Sequence, residues 1–560
     1  MKIKNVFSYP IFYLFFLLLL ILYTFWKLPQ TFYQQDEWLG LGQIWAQGWS
    51  HVIYGFSPVQ ILFGDGRPLT RVFGVIFFGN FPFNSLFLSL YSIGLHFINT
   101  ILVFFIASKI LKKPWLAFIA SAFFSINSVT HQSVTWFGAS FGTQPASLLI
   151  FLSIYFFLCF LENNKNKFLH LSLLSALISL YFKESSIFLF VFFPLIEIMY
   201  RQNFSLKEYT KKYLPFIAFI TLFIIFRLYE MMVVRANFSD ILAGKVYANI
   251  GNQYLFPSLI VRSIMYPLTS LSLIFIPISV SLFFAELLRK IYYPFITLRI
   301  DQLRETVILD MVSIISSFVL LFLLYYVWNK YKKARLPILF SLSLFILSIL
   351  PYMVISKTFG YLEPRYYYIS SAAAGMILSL VLLYLFKIIN SSILKLTISL
   401  LFIFLIFSHI KTIKNDINHQ IIIANERKSF ISQLYNIVPT LNSDKNIFYI
   451  DGSQPRFSKN KAPFQNGVGY TLMVLYYKNG VIPSKLLSEG YLWDWDKEGY
   501  RQVNGKGFGY FYDKNHLKDF IIKNKLDPQM VIALYYDSSK QKLKNITDIT
   551  RKQLSSSSLN

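Results

Sequence analysis

Two adjacent carboxylates, Asp36 and Glu37, follow the first apolar segment of the chain, where it should leave a membrane. Only 14 Asp and Glu residues occur in the first 410 positions, the 27 of the whole chain less the 13 that follow. An adjacent acidic pair at a bilayer boundary is costly, which indicates a chemical role. A carboxylate placed there can accept the proton of an incoming hydroxyl. The alternative is an ordinary loop in water.

Three cations, Arg67, Lys183 and Arg365, also stand beside apolar segments. If they share a membrane face with the acidic pair, the set suits a reaction on a phosphate-bearing lipid, because a base activates the hydroxyl while cations stabilise the leaving phosphate. The alternatives are an ion pair or a snorkelling pair of Lys183 and Glu184 at a helix boundary, and anchoring of Arg365 to lipid headgroups.

The elements that position these residues are predicted to be membrane helices. Hydrophobic residues make up 55% of the 560 positions and charged residues 14%, which excludes an ordinary soluble protein. About eleven apolar runs approach the roughly 20 residues that a bilayer requires. They cover residues 10–29, 84–108, 114–129, 145–161, 168–182, 185–200, 212–232, 306–328, 336–356, 366–388 and 392–410.

Lys and Arg clusters fall at alternate ends of successive runs, which predicts that those ends are cytoplasmic. The alternation requires that region 258–286, broken by Pro267 and Pro277, does not cross fully but lies along or re-enters the outer leaflet. The N-terminus is then inside. The acidic pair, the three cations, His131, Glu184 and Tyr366 then all lie at the outer face. His96 and Asn99, one turn apart within a span, are expected to tie helices together.

The composition becomes polar after residue 410, with 22 Lys and Arg against 13 Asp and Glu in residues 411–560. Short apolar runs at 446–450 and 530–536 predict strands, and 517–525 predicts a helix. We therefore expect an all-α polytopic membrane domain over residues 1–410, with juxtamembrane helices on its outer face, and a small α/β extracytoplasmic domain over 411–560.

Several function classes have no support in the sequence. The net charge of +26 is spread over loops and the C-terminal region with no single basic face, so no nucleic-acid partner is expected. The single cysteine, Cys159, excludes an internal disulfide and a thiolate metal cluster. Nucleotide-binding and zinc-protease motifs are absent from the sequence, and no cofactor is required. The acidic pair and His131 have the atoms that a divalent ion binds, but no ligand spacing demands one.

Six short segments, taken in order, resemble the GT-C superfamily of membrane glycosyltransferases, in particular protein O-mannosyltransferases and the tetratricopeptide-carrying O-mannosyltransferases. They are Asp36–Glu37, Arg67–Thr70, His96–Asn99, Asn127–Trp136, Phe182–Glu184 and Arg365–Ser370. The chain differs from the last group in having no tetratricopeptide array after its last span. The resemblance implies a polyprenyl-phosphate sugar donor, transfer on the extracytoplasmic face, and the acidic residue after the first helix as the base.

We accordingly expect an inverting glycosyltransferase of the cytoplasmic (plasma) membrane that acts on a protein or on a glycan or lipid acceptor. Asp36 is the expected base, and Glu37 would orient the base or a metal. Lys183, Arg365 and Arg67 are expected at the donor phosphate, with His131, Glu184 and Tyr366 as further substrate or metal contacts; for His131 a structural hydrogen bond is the alternative. The alternative functions are a flippase or transporter of lipid-linked glycans, a glycan polymerase or ligase, and a non-enzymatic membrane protein that presents its outer domain.

Overall fold

The structure, a computed structural model, describes most of the chain. The described residues are 10–56, 67–201, 255–295, 302–354, 360–441, 444–452, 468–479, 481–488 and 498–557, with scattered positions between 205 and 225. The predicted span at 212–232 lies largely outside them. Only the backbone of Asp36 is described.

Helices account for most of the described residues before residue 438. The described α-helices of about two turns or more are α1 (Pro10–Phe25), α2 (Gln35–Gly55), α3 (Pro68–Gly74), α4 (Ser85–Leu111), α5 (Pro114–Ser125), α6 (Phe137–Asn163), α7 (Asn166–Phe182), α8 (Leu189–Tyr200), α9 (Leu255–Phe275), α10 (Ile278–Tyr292), α11 (Val307–Lys330), α12 (Arg335–Ile349), α13 (Tyr368–Ile388) and α14 (Ser392–Ile437). Each predicted apolar run that lies within the described residues forms a helix.

Seven stretches of the described helices are long and apolar enough to cross a membrane, and the bent pair α9–α10 would be an eighth. They are Pro10–Gln30, Ser85–Leu111, Phe137–Asn163, Val307–Lys330, Lys332–Met353, Pro364–Ile388 and Ser392–Ile437. The chain is therefore an integral membrane protein built from apolar helices. α5 and α7 are apolar but shorter, so the total of eleven crossings stays a prediction.

The predicted interruption within residues 258–286 occurs at one of its two prolines. α9 and α10 meet at an angle of 111° around Pro277, where proline lacks the N–H of a helical bond and disfavours helix at the preceding residue. The expected break at Pro267 is wrong, since α9 continues through that residue.

The described chain divides into two compact units. The first comprises residues 1–26, 55–70 and 90–415, and the second comprises 27–54, 71–89 and 416–560. The division within α14 lies close to the predicted domain boundary at 410. The second unit, however, also includes the two early segments, and with them Asp36 and Glu37, which the sequence pattern did not indicate.

Buried polar bonds join helices in the first unit. On α4, the Nδ1 atom of His96 lies 2.7 Å from the hydroxyl of Tyr368 on α13. Its Nε2 atom lies 2.9 Å from the carbonyl oxygen of Ser125 at the end of α5. Asn99 donates to the same hydroxyl at 3.3 Å and to the carbonyl of Gln144 at 3.2 Å. Because lipid offers no alternative partners, such polar groups favour one arrangement of the helices. The expected helix-tying role of His96 and Asn99 is confirmed.

A five-stranded sheet with flanking helices forms the C-terminal part of the second unit. The elements are β1 (Lys445–Gly452), α15 (Val468–Tyr476), α16 (Ser484–Ser488), β2 (Gly499–Val503), β3 (Lys506–Phe511), α17 (Lys514–Asn524), β4 (Val531–Asp537), β5 (Lys542–Asn545) and α18 (Thr547–Ser557). The strand order is β2-β3-β1-β4-β5. The central strand, β1, pairs in parallel with β3 and β4, while β2–β3 and β4–β5 are antiparallel. The two predicted strands and the predicted helix are thus confirmed as β1, β4 and α17.

Candidate functional site

The three predicted phosphate-binding cations lie at helix ends of the first unit. Arg67 immediately precedes α3, Lys183 follows α7, and Arg365 lies in the short helical turn Pro364–Tyr367 before α13. The Thr70 hydroxyl donates to the carbonyl of Phe182 at 3.0 Å, which joins the start of α3 to the end of α7. The structure also brings Arg67 into contact with Glu184, which lies 117 positions later in the chain. We name Arg67, Lys183 and Arg365 the cation cluster.

Arg67 pairs with Glu184. Its Nε lies 2.9 and 3.1 Å from the two carboxylate oxygens, and Nη2 lies 2.9 Å from Oε2. Charge-assisted bonds from two guanidinium nitrogens hold the plane of the guanidinium in one orientation. The expected alternative, an ion pair between Lys183 and Glu184, is not formed among the described residues.

Lys183 lies against two tyrosine rings. The rings of Tyr352 and Tyr366 stack with centroids 4.4 Å apart, and Nζ of Lys183 lies 5.6 and 5.4 Å from them. Nζ also donates to the Thr143 hydroxyl at 3.1 Å. Burial, together with the positive charges of Arg67 and Arg365, lowers the pKa of Lys183 to about 7.

Arg365 stacks on aromatic rings from two elements. Its guanidinium carbon lies 4.7 Å from the ring centre of Trp136 and 5.0 Å from that of Tyr366, a geometry in which the ring faces attract the cation. The backbone carbonyl of Arg365 accepts a 3.4 Å hydrogen bond from Ser133. Its Nη2 also donates to the Tyr366 hydroxyl at 3.4 Å. The guanidinium is therefore held by stacking and by this bond, and its other nitrogens can donate to an anion.

The charges and geometry of this arrangement are suited to holding an anion. The three cations lie near the carboxylate of Glu184, and Lys183 and Arg365 also lie over aromatic rings. The guanidinium of Arg365 can match the oxygen geometry of phosphate, while Arg67, which is paired with Glu184, and Lys183 add positive charge. Of the predicted further contacts, Glu184 and Tyr366 belong to this assembly.

His131 takes part in a local bond. Its Nδ1 lies 2.5 Å from the Ser128 carbonyl, the structural hydrogen bond that was the alternative for this residue. Its contact with substrate or metal stays a prediction. Among the side chains that the structure describes, no group of three or more His, Cys, Asp or Glu residues is arranged to hold a metal ion.

The acidic pair begins α2, in the second unit. The Asp36 side chain lies outside the described residues. The Glu37 side chain is buried, and its Oε2 accepts the backbone N–H of Gln34, the residue before the helix. An acidic residue that reaches back in this way caps the first turn and is stabilised by the positive end of the helix dipole.

Arg427 is a residue that sequence reasoning missed. It is buried on α14, and its Nη1 donates to the carbonyl of Tyr33 at 2.7 Å, next to the start of α2. The negative charges of Glu37 and Glu426 act on it, and Glu426 accepts a 2.9 Å bond from Tyr536 on β4. The sequence did offer one signal, the adjacent opposite charges of Glu426 and Arg427. It was missed because the predicted span ended at residue 410, whereas α14 continues to Ile437.

No protein-family profile matches the chain, and a comparison with curated proteins gives no match either. The functional assignment therefore depends on the residues of the cation cluster and the acidic pair.

Proposed function

We propose that the chain is a GT-C-like membrane glycosyltransferase that moves a sugar from a polyprenyl-phosphate donor to an acceptor hydroxyl. The acceptor is a protein, a glycan or a lipid. In this proposal the helices make about eleven crossings of the cytoplasmic membrane, the N-terminus lies inside, and transfer takes place on the extracytoplasmic face, where the C-terminal domain also lies. The observation that carries the proposal is the convergence of Arg67, Lys183 and Arg365 beside the carboxylate of Glu184.

The donor chemistry accounts for a site rich in cations. The bond between the anomeric carbon and the phosphate oxygen breaks, and both of its electrons leave with the phosphate. The leaving group is already an anion, so it requires charge stabilisation more than protonation. Fixed cations supply that stabilisation without reorganising during the reaction, and the stacking of Arg365 on Trp136 and the pairing of Arg67 with Glu184 fix two of them.

Asp36 is the proposed base. The acceptor oxygen forms the new bond to the anomeric carbon from the side opposite the phosphate, which inverts the configuration, and Asp36 accepts the hydroxyl proton. The backbone of Asp36 lies in the first turn of α2, whose start is capped by Glu37. Glu37 thereby positions the base through the helix start.

The test is sugar transfer by the purified full-length chain in lipid, with a panel of radiolabelled polyprenyl-phosphate sugars. We expect wild type to turn over at least one donor, and Asp36→Asn and Arg365→Ala to lose transfer. Arg335→Ala is the matched control, because Arg335 also stacks on a tryptophan, 5.6 Å from the ring centre of Trp328, outside the cation cluster. This variant should keep wild-type turnover.

Two results would contradict parts of the proposal. Equal turnover in wild type and Asp36→Asn would remove Asp36 as the base. No turnover with any donor, with or without divalent ions, would overturn the enzymatic assignment and favour transport of lipid-linked glycans, which movement of labelled lipid across liposomes would then measure.

A further inference from the structure

Lys183 differs from its two neighbouring cations in how its charge is balanced. Arg67 has the carboxylate of Glu184 at 2.9 Å, and Arg365 has two aromatic faces. The side-chain amine of Lys183 has one hydrogen-bond partner among the described residues, the neutral hydroxyl of Thr143, and no carboxylate within ion-pair distance there. The charges of two nearby guanidinium groups disfavour the protonated form of such an amine.

Three charged groups of the described residues act on Lys183. Arg67 and Arg365 disfavour its positive charge, whereas Glu184, which is paired with Arg67, favours it. The rings of Tyr352 and Tyr366 and the hydroxyl of Thr143 are uncharged neighbours. With a pKa of about 7 caused mainly by burial, the amine is close to half protonated at neutral pH when the site is empty.

A bound phosphate reverses this balance, because its negative charge favours protonation of a nearby amine. The size of the effect depends on the ligand. A phosphate monoester carries close to two negative charges above its second pKa of about 6, whereas a phosphodiester carries one. The monoester therefore favours the charged amine more strongly.

We propose that the cation cluster takes up a proton on Lys183 when it binds a phosphate monoester, so that the charge of the site follows the charge of its ligand. The inference rests on the phosphate-binding role given to the cluster above. In the proposed transfer reaction the phosphate changes from the diester donor to the monoester product. Asp36 would receive the acceptor proton, and Lys183 would take one proton from water, which matches the additional negative charge on the phosphate.

Calorimetry of the full-length chain in lipid nanodiscs at about pH 8 tests this proposal. The ligands are inorganic phosphate, farnesyl phosphate and dimethyl phosphate, each titrated in buffers of different ionisation enthalpy, so that the buffer dependence of the heat gives the protons taken up. We expect uptake approaching one proton per monoester bound, and less with the diester. Monoester affinity should fall by up to about tenfold per pH unit above pH 8, as linkage requires for one proton.

Three variants assign the proton. Lys183→Arg keeps a charge that does not titrate in this range, so it should bind phosphate without proton uptake. Lys183→Met should bind more weakly, also without uptake. Lys387→Met is the matched control, because Lys387 lies 5.8 and 4.9 Å from the neighbouring rings of Tyr331 and Tyr384, a tyrosine pair outside the cluster with its ring centres also 4.4 Å apart. It should retain wild-type uptake.

The outcomes are distinguishable. Uptake with inorganic phosphate as well as with farnesyl phosphate would show that the cluster recognises the phosphate alone, and uptake with farnesyl phosphate only would identify a lipid source; both support the proposal. Phosphate binding without uptake, or equal uptake in Lys183→Arg, would overturn the inference but leave the proposed function standing. Absence of phosphate binding in wild type would overturn both the inference and the phosphate-binding role of the cluster.

Discussion

The guanidinium of Arg67 and the carboxylate of Glu184 form a two-nitrogen ion pair, with Nε and Nη2 each 2.9 Å from Oε2. The pair is half exposed, at 51% for Arg67 and 32% for Glu184, so its contribution to folding should be about 1 kcal/mol or less. Its consequence is geometric, because it fixes where the guanidinium of Arg67 points. Arg67 can therefore act in the cation cluster without being important for stability.

Replacing Arg67 by Lys separates charge from geometry. The variant keeps one positive charge but loses the planar fork that bonds Glu184 through two nitrogens. We expect sugar transfer to fall about tenfold, roughly 1.4 kcal/mol of transition-state stabilisation, with the unfolding midpoint in detergent unchanged. Arg201→Lys is the control, because Arg201 forms a comparable pair with Glu197 at 3.3 Å outside the cluster. Wild-type transfer by Arg67→Lys would show that only the charge matters.

Replacing Asp36 or Glu37 by its amide should have different effects, on transfer for Asp36 and on stability for Glu37. Asp36→Asn is expected to lower transfer by about 10²- to 10⁴-fold, the usual contribution of a general base, with little change in stability. Glu37→Gln keeps a side chain that can cap the helix but removes a buried charge next to Arg427. We expect it to lower the free energy of unfolding by roughly 1–3 kcal/mol and to retain more transfer than Asp36→Asn. The opposite ranking in the transfer assay would make Glu37 the base.

The cation cluster could be predicted because its residues stand at the ends of apolar runs. Basic residues determine which ends share a face, and Lys183 and Arg365 lie where two such runs end and begin. The partner of each cation could not be predicted in this way. The pairing of Glu184 with Arg67 rather than with its neighbour Lys183 depends on the contact between α3 and α7, which is made by Thr70 and Phe182, 112 positions apart.

The organisation of the second unit could also be predicted only in part from the sequence. The alternation of apolar residues predicted β1 and β4, because that pattern is local. The grouping of residues 27–54 with the C-terminal sheet depends on contacts such as Arg427 with Tyr33, which join positions 394 residues apart. Hydrophobic periodicity carries no information on such pairings, so the position of the acidic pair in this unit emerged only from the structure.

Arg427 should be the most sensitive position of the second unit for folding. Arg427→Met removes the bond to the Tyr33 carbonyl and leaves the buried carboxylate of Glu37 without this opposing charge. Breaking a buried pair from one side costs about 3–5 kcal/mol, and we expect a loss of that size in chemical denaturation. The double variant with Glu37→Gln should lose less than the sum of the two single changes, because the charge left behind is then absent. Strict additivity would show that the two side chains do not interact.

The stability of the folded chain should depend on pH through Lys183. The lysine has a pKa of about 7 in the folded chain and about 10.4 when unfolded, so between these values the unfolded chain binds more protons. The free energy of unfolding must then rise with pH over this window, by at most about 1.4 kcal/mol per pH unit. Well below pH 7 the amine is protonated in both the folded and the unfolded chain, so its contribution to stability does not change with pH.

The measurement is chemical denaturation of wild type and Lys183→Met from pH 6 to 9. Above pH 7 the unfolding free energy of wild type should rise relative to that of the variant. Parallel curves across the whole range would show that the amine remains charged in the folded protein.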